Sequence, residues 1–458
     1  MPLPRNTEEY RQKLYMQICQ KAGLPVLPEE TEPLCPGGGA EYVLAPFLGA
    51  FVLWVLRRCA KEHIRTLYFL ARDGWPAYRL ARRLGKTLCP ELSVRYLACS
   101  RYSLRVPLYA DNHTEALEYI CRGGIAVTPR SMLSRAGLTG EDTAELLQRW
   151  ACSGGEADRP LSRAGREKWH ARLAADERFL TLMDRRSRAR WPLLETYLRQ
   201  EGLTEEGCAI ADSGWTGSLQ KTLRQALEKI QGAGHTGIQG YYIGLYAQPA
   251  SEDPDTYACW WFGPGDHLLR KTFFCNNLPE AVFAEDAGTV CGYREEDGRI
   301  IPVRARHRIC PDKERLQAVF DRYADCLSAR CAGAGNFLPD PDRAGRKLEK
   351  SLRLLMHRPL PAETAFFGRL PFSDDLLDET LRELAPPFPE AWLSENHLIS
   401  RMLAGTGRTR RALHEAAWYE GSLARSTDRE WRHRCSYTAY RMLSMLRMMA
   451  QARLRHHR

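Results

Sequence analysis

The stretch TLYFLARDGWPAYRLARRL, residues 66–84, decides the fold class that this sequence predicts. Its first part, residues 67–70, is an apolar run short enough for a buried strand, and its second part repeats apolar residues at helical spacing. Arg72, Asp73 and Gly74 stand at the handover between the two. Strands that pass directly into amphipathic helices are typical of α/β folds with a parallel sheet.

A second handover of the same kind is CAIADSGWTGSLQKTLRQAL, residues 208–227. Residues 208–211 are apolar or small, Asp212 follows them, and apolar residues between 219 and 230 mark one face of a helix. Ligands of open parallel sheets bind beyond the carboxyl ends of the strands. We therefore expect the two junctions to line one cleft at adjacent strand ends.

The rest of the chain is organised around this core. Residues 1–40 are predicted to be a peripheral N-terminal segment, and residues 41–311 an α/β core with a helical insertion at about 113–200. A candidate hairpin occupies residues 288–303. Residues 312–458 are predicted to be a mostly helical, basic C-terminal region. The predicted fold class is α/β, with a mainly parallel sheet, a helical insertion and a helical C-terminal region.

Composition places the chain among ordinary folded proteins and indicates its electrostatic preference. Of the 458 residues 44% are hydrophobic and 27% are charged, and the formal net charge of +10 favours anionic partners such as phosphates, nucleic acid or acidic lipid. The fifteen cysteines include no C-x-x-C pair, which indicates free thiols in a reducing cytoplasm. The apolar run at 42–56 is short for a membrane span and contains a proline, so it predicts a buried helix.

The residue types at the first junction suit an anionic ligand. Gly74 permits a tight turn, after which the first amides of the helix are free to hold an anion. Arg72 offers a planar fork to a phosphate, and Asp73 is suited to hold a metal ion, a sugar hydroxyl or a proton. The alternative is structural, with Arg72 and Asp73 paired to each other and capping the helix.

The second junction gathers small and hydroxyl-bearing residues around a predicted helix start. Gly214, Thr216, Gly217 and Ser218 predict a loop whose amides wrap a phosphate. Asp212, at the expected strand end, is placed to bind ribose hydroxyls or magnesium. The alternative is an ordinary aspartate cap with small residues for close packing.

These motifs resemble two known families. The Asp-x-x-x-Thr-Gly-Ser spacing at 212–218 is similar to the second half of the phosphoribosyl-pyrophosphate loop of phosphoribosyltransferases, with Ala211 in place of the first of that family's two acids. A longer resemblance covers roughly residues 39–303. In order, its segments are GAEYVLAPFLGAFVLWVLRRCAKEHIRTLYFLARDGW, YLACSRYSLRVP, IADSGWTGSLQKTL, GYYIGLY and NNLPEAVFAEDAGTVCGY.

The longer set resembles the region that follows a haloacid-dehalogenase-like phosphatase domain in large proteins of bacterial surface-polysaccharide loci. Some members are dual-domain ribofuranosyltransferases, whose transferase part moves phosphoribose from phosphoribosyl pyrophosphate to a glycan. The resemblance implies a phosphorylated sugar donor, a glycan acceptor and magnesium. The implied site residues are Arg72, Asp73, Gly74, Ser100, Arg101, Asp212, Ser213, Gly214, Trp215, Thr216, Gly217, Ser218 and Glu280.

The resemblance also implies roles for the two aspartates. Asp73 is the expected base for the glycan hydroxyl, with Asp212 on the ribose or the magnesium ion, and the two roles are exchangeable. The family's companion phosphatase has an apolar strand ending in Asp-x-Asp-x-Thr/Val, which is found nowhere in this sequence. A separate phosphatase, or a different donor, is therefore expected.

Two other functions fit parts of the sequence. Asp212 and Thr216 have the spacing of the haloacid-dehalogenase nucleophile motif, which predicts a phosphohydrolase, although Gly214 replaces the usual general acid. The basic run DRRSRAR, residues 184–190, and the arginine-rich end would suit a non-catalytic protein that binds anions or nucleic acid. Since no nucleic-acid motif accompanies them, nucleic acid is not the expected partner.

The last predicted helix indicates where in the cell the protein is expected to lie. Residues 436–458 combine an apolar stripe with five arginines and no acid, which predicts peripheral contact with an anionic surface, the inner face of the cell membrane. The alternative is a helix docked on the protein by the same stripe. The expected location is cytoplasmic, with or without that contact.

Overall fold

A parallel sheet of five strands forms the centre of the protein. The computed structural model describes residues 7–28, 33–124, 127–152, 154–232, 237–249, 252–333, 338–373, 381–405, 415–426 and 430–456, so residues 1–6 and 29–32 of the N-terminal segment lie outside it. The strands are β1 Thr66–Leu70, β2 Ser93–Leu97, β3 Cys208–Trp215, β4 Gln239–Leu245 and β5 Tyr257–Phe262, in the order β2-β1-β3-β4-β5. The predicted α/β class is confirmed.

Helices surround the sheet and make up the C-terminal region. Up to the end of the sheet they are α1 Glu8–Lys21, α2 Ala45–Lys61, α3 Trp75–Leu88, α4 Arg101–Arg105, α5 His113–Ile120, α6 Pro129–Arg135, α7 Glu141–Arg149, α8 Gly154–Ala157, α9 Arg163–Ala175, α10 Glu177–Gln200 and α11 Ser218–Gln231. After it come α12 Leu268–Phe273, α13 Asn277–Phe283, α14 Pro311–Ala332, α15 Pro341–His357, α16 Pro361–Phe367, α17 Glu390–Glu395, α18 Leu398–Gly405, α19 Tyr419–Ala424 and α20 Glu430–His456.

Short elements complete the description. The predicted hairpin is present as β6 Val290–Glu296 paired antiparallel with β7 Arg299–Arg304. A two-residue pair, β8 Pro371–Phe372 and β9 Arg382–Glu383, lies in the C-terminal region. A short π-helix occurs at Ala40–Leu44, and short 3-10 helices occur at Val106–Asp111 and Pro254–Thr256.

The two faces of the sheet are covered by different helices. Leu67 and Phe69 of β1 belong to the main core with α2 and α3, whereas Tyr68 and Leu70 pack into a second core with α10 and α11. From β1 the chain passes to β2, which lies on one side of β1. After the helical insertion it returns to the sheet as β3, which lies on the other side of β1. Such a reversal creates a crevice at the carboxyl ends of β1 and β3, where α/β proteins bind ligands.

The apolar run predicted as a buried helix is one. Within the described residues, the stretch Ala40–Lys61 has the length and composition of a membrane span, yet 78% of its most apolar window is buried inside the protein. It packs against α3, α14 and α15.

The described part of the N-terminal segment is less peripheral than the sequence suggests. Tyr15 and Cys19 of α1 are fully buried in the main core, and the helix packs against α15. The partner helix lies over three hundred residues away in sequence, so local composition gave no sign of this packing. All fifteen cysteines are free, as predicted.

The last helix docks on the protein along one side. The guanidinium of Arg441 donates to the carbonyls of Lys271 and Phe274 at 2.9 and 2.8 Å, so this arginine serves packing. On the other side Leu443 and Leu446 are 47% and 45% exposed. The inner side of α20 is therefore docked on the protein, as one of the two alternatives expected. Membrane contact remains a prediction for the outer side of α20.

Candidate functional site

The crevice opens where β1 and β3 part. β1 pairs with β3 only as far as Ala211, whereas β3 stays paired with β4 through Asp212 to Trp215. Asp212 therefore lies inside a strand and not at its end, and the expected 212–218 loop shrinks to Thr216 and Gly217. The reason is that β4 satisfies the backbone of β3 beyond the point where β1 turns away.

The first junction places Asp73 in this crevice. The hydroxyl of Ser213, on β3, donates a hydrogen bond to the Asp73 carboxylate, so the two junctions meet directly. Burial raises the pKa of Asp73 above its ordinary value, against the opposing effects of that hydrogen bond and of the nearby guanidinium groups of Arg72 and Arg101. The predicted proximity of the two junctions is thus present in the structure.

Asp212 stands among other carboxylates. Burial raises its pKa well above the ordinary value, and the negative charges of Asp73 and Glu280 raise it further. Arg101 acts in the opposite direction on Asp212, as it does on Asp73. Three acids and an arginine from four separate segments therefore share one electrostatic environment.

Glu280 joins the site through α13. The indole Nε1 of Trp215, the last residue of β3, donates a hydrogen bond to the Glu280 carboxylate. The ring of Trp215 also packs against those of Tyr246 and Phe274, at centroid distances of 6.1 and 5.6 Å. The end of β3 is held in this way to the helix that carries the third acid.

Ser100 acts on the site indirectly. Its Oγ accepts hydrogen bonds from the amides of Tyr102 and Ser103 at 3.1 and 3.0 Å, and donates to the carbonyl of Val290 at 2.6 Å. The hydroxyl is therefore committed to starting α4. That helix start presents the exposed Arg101 near both aspartates.

The alternative capping roles of the two aspartates do not occur. The residue preceding α3 is Gly74 and the residue preceding α11 is Gly217, and neither helix has a side-chain cap. Beside the start of α11, the hydroxyl of Thr216 instead donates to that of Ser218 at 3.2 Å. Asp73 and Asp212 are thus not explained as helix caps.

Two glycines are required by close contacts at the junctions. A Cβ on Gly74 would lie 2.3 Å from the carbonyl oxygen of Leu70, although the φ of this residue is ordinary. Gly217 has a φ of +61°, and a Cβ there would lie 2.5 Å from the ring of Tyr257. In strand β3, Gly214 pairs with Gly244 of β4.

Gly74→Ala should destabilise the protein by about 1–3 kcal/mol, because the methyl group forces the junction away from the carbonyl of Leu70. Gly85→Ala, inside the helix that Gly74 precedes, is the matched control, since its Cβ would meet only Val94 at 3.6 Å. That variant should be neutral or more stable by about 0.5–1 kcal/mol. Urea unfolding of both variants measures the difference, and equal midpoints would show that the junction tolerates a side chain.

Two residues near the site, Glu285 and Cys99, were not predicted from the sequence. Glu285 accepts a hydrogen bond from the Tyr96 hydroxyl at 2.8 Å, forms an ion pair with Arg304 at 3.0 Å, and its amide donates to the carbonyl of Arg72 at 3.1 Å. Cys99 is buried near both aspartates, and burial first, then the charge of Asp212, raises the pKa of its thiol. Glu285 lies in the segment that carries the resemblance, five residues after Glu280, which was the only signal for it.

Within the described ranges, no group of three or more histidine, cysteine, aspartate or glutamate side chains is arranged to hold a metal ion by itself. No protein-family model matches the chain, and no curated protein matches it significantly.

Proposed function

We propose that the protein is a glycosyltransferase-like enzyme of surface-polysaccharide assembly that transfers phosphoribose from phosphoribosyl pyrophosphate to a glycan hydroxyl. The observation that supports this most is the convergence of Asp73, Asp212 and Glu280 with Arg101 at the switch point of the sheet. Such a site combines groups for a sugar, for a proton and for a phosphate.

In the proposed reaction the bond between C1 of the ribose and the pyrophosphate oxygen breaks, and its electron pair leaves with pyrophosphate. Arg72, Arg101 and the first amides of α11 are the groups that would stabilise this leaving group. They are held by the fold before the donor binds, so little reorganisation is needed as charge develops.

The new bond forms between C1 and the oxygen of the glycan hydroxyl, whose proton passes to Asp73. Because burial raises the pKa of Asp73, its carboxylate is a better proton acceptor than an exposed aspartate. The Ser213 hydroxyl orients it. Asp212 binds the ribose hydroxyls or the metal ion in this scheme.

The acids fit a magnesium ion held partly by the donor. Burial raises the pKa of Asp212 first, and repulsion from Asp73 and Glu280 raises it further. A cation bound among the acids would relieve that repulsion. Magnesium is commonly bound by one or two carboxylates together with substrate phosphates, so a complete protein cage is not required. Bound there, it would add positive charge against the departing pyrophosphate.

A product of this reaction keeps the 5-phosphate of the donor. We therefore propose a separate phosphatase as a partner in the same assembly route, which hydrolyses that ester after transfer.

Release of pyrophosphate tests the proposed function against the hydrolase alternative. The protein is incubated with phosphoribosyl pyrophosphate, magnesium and glycan fractions, and pyrophosphate and orthophosphate are measured separately. Pyrophosphate release that depends on the glycan is the expected result. Orthophosphate release from simple phosphate esters, without a glycan requirement, would instead support a phosphohydrolase with Asp212 as nucleophile.

We also propose that the outer side of α20 contacts the anionic inner face of the membrane. Replacing both Leu443 and Leu446 by serine removes two exposed apolar side chains and should lower the vesicle-bound fraction about tenfold. Ile309→Ser, at a position 75% exposed, is the control. Flotation with vesicles of anionic lipid at low salt measures this, and equal binding of all variants would exclude the contact.

A further inference from the structure

A second cleft adjoins the site through Thr216 and Ser218. It has a volume of about 910 Å³ and lies between α5, the turn at Val106–Asp111 and helix α11. Pockets that bind small ligands have volumes of roughly 300–1,000 Å³, so this cleft is large enough for the end of an oligosaccharide. Its position beside the proposed donor site is where an acceptor has to lie.

The positive charges in the cleft fall into two groups. Lys221 and Lys229 are paired with Glu115 and Asp111, at 3.0 and 2.6 Å. Arg105 and Arg122 also line the cleft, and neither forms an ion pair with a carboxylate in the described part of the chain. Acids line the cleft as well, because Arg105 lies close enough to Glu115 to lower the pKa of that carboxyl, and Glu118 is a further lining residue. The positive charge that no carboxylate pairs directly is therefore that of Arg105 and Arg122.

Two buried polar atoms in the cleft have no hydrogen-bond partner among the described residues. They are Nη1 of Arg105 and the hydroxyl of Tyr119, a residue that is 7% exposed. The guanidinium of Arg105 lies over the Tyr119 ring at 3.8 Å, so the two atoms belong to one feature. Burying such groups without a partner is unfavourable, more so for a charged group, and a ligand that bonds to both atoms would recover that free energy.

The environment of Arg105 indicates the charge of that ligand. Burial lowers the pKa of Arg105, Tyr119 and Tyr109 oppose that effect, and the neighbouring charges of Arg101 and Arg122 add to it. Arg101, which acts on both aspartates, and Arg122, which lines the cleft, therefore both lie close enough to Arg105 to repel its charge. A carboxylate or phosphate bound between them would relieve their repulsion, whereas a neutral sugar would not.

We infer that this cleft is the acceptor site and that it binds an acidic glycan segment through Arg105 and Tyr119. The inference rests on the proposed function only where it calls the bound glycan an acceptor, because binding of the glycan itself requires no donor. The anionic group is either the carboxylate of an acidic sugar or the phosphate that joins a glycan to its carrier.

Calorimetric titration of the full chain with three probes separates these sources: trigalacturonate, maltotriose and glucose 1-phosphate. Preferred binding of trigalacturonate indicates a carboxylate, and preferred binding of glucose 1-phosphate indicates a phosphate. Maltotriose is expected to bind weakly. Equal affinity for maltotriose and both acidic probes, or no binding of either acidic probe, would overturn the inference.

Variants connect that binding to the two residues. Arg105→Gln should weaken binding of the preferred acidic probe about tenfold or more, since hydrogen bonds to charged groups are strong. Tyr119→Phe should weaken it about threefold to tenfold and leave the fold at least as stable, because it removes an unsatisfied hydroxyl. Arg130→Gln, at a cation outside the cleft that is paired with Asp158, is the control and should stay within about twofold.

The outcomes for the two proposals are distinguishable. If acidic probes bind through Arg105 but phosphoribosyl pyrophosphate is not used, the function is wrong and the binding site stands. If transfer occurs and Arg105→Gln changes neither probe affinity nor the KM for the acceptor, the function stands and this inference is wrong.

Discussion

Asp212→Asn should lower the rate of transfer by about a hundredfold or more while making the folded protein more stable. The rate falls because the side chain keeps its size but loses the charge that binds ribose or metal. Stability rises because burial, and then repulsion from Asp73 and Glu280, make ionisation of Asp212 less favourable in the folded protein, as its raised pKa shows, and asparagine carries no such charge. A higher unfolding free energy than that of the wild-type protein is therefore expected at neutral pH.

The sign of the pH effect follows from the raised pKa. Ionisation of Asp212 is less favourable in the folded than in the unfolded state, so the wild-type protein loses stability as pH rises through the raised pKa of this group. The asparagine variant lacks this loss, so its advantage grows with pH. Urea unfolding across pH measures it.

Asp158→Asn, on the helical insertion, is the control for rate, since that exposed carboxylate pairs only with Arg130 among the contacts described. It should transfer at the wild-type rate. Near-normal turnover by Asp212→Asn would show that Asp212 takes no part in the reaction. If Asp212→Asn is less stable than the wild-type protein, the Asp212 carboxylate stabilises the folded state.

Asp73→Asn should lower the rate by about a hundredfold to ten-thousandfold, the usual loss on removing a general base. In the wild-type protein the rate should fall as pH decreases through the pKa of Asp73, which burial places above that of an ordinary aspartate. The residual rate of the variant should lack this acid limb. A pH–rate profile under single-turnover conditions measures both.

Ser213→Ala provides an internal check on that assignment. The Ser213 hydroxyl favours the ionised form of Asp73, so its removal should move the acid limb to higher pH without abolishing transfer. If Asp212→Asn loses the limb and Asp73→Asn retains it, the two aspartates have exchanged roles. A limb that none of these variants moves would show that neither aspartate is the base.

Local patterns were sufficient to predict the α/β class and the two junctions. Apolar spacing around residues 67–84 and 208–230 predicts each strand and helix, and parallel strands bring their carboxyl ends to one edge. The resemblance added Glu280, which lies beside Asp212 in the structure. The residues of the two junctions could be proposed as one site because parallel strands place their carboxyl ends at the same edge of the sheet.

Other features depend on partners that are distant in sequence. Asp212, Ser213 and Gly214 have the composition of a loop, yet pairing with β4 extends the strand through them. Ser100 looked like a ligand because its use as a cap depends on the backbone geometry of α4. The full strand order could not be predicted, since it is set by where the chain returns to the sheet after the helical insertion.

The most direct test of phosphoribosyl transfer is mass spectrometry of a glycan acceptor incubated with the protein, magnesium and phosphoribosyl pyrophosphate. We predict a glycan heavier by one phosphoribosyl unit, with its phosphate retained, and no such product from Asp73→Asn or Asp212→Asn in the same time. Unmodified glycan at saturating donor, across neutral and acidic acceptors, would contradict the proposed transfer.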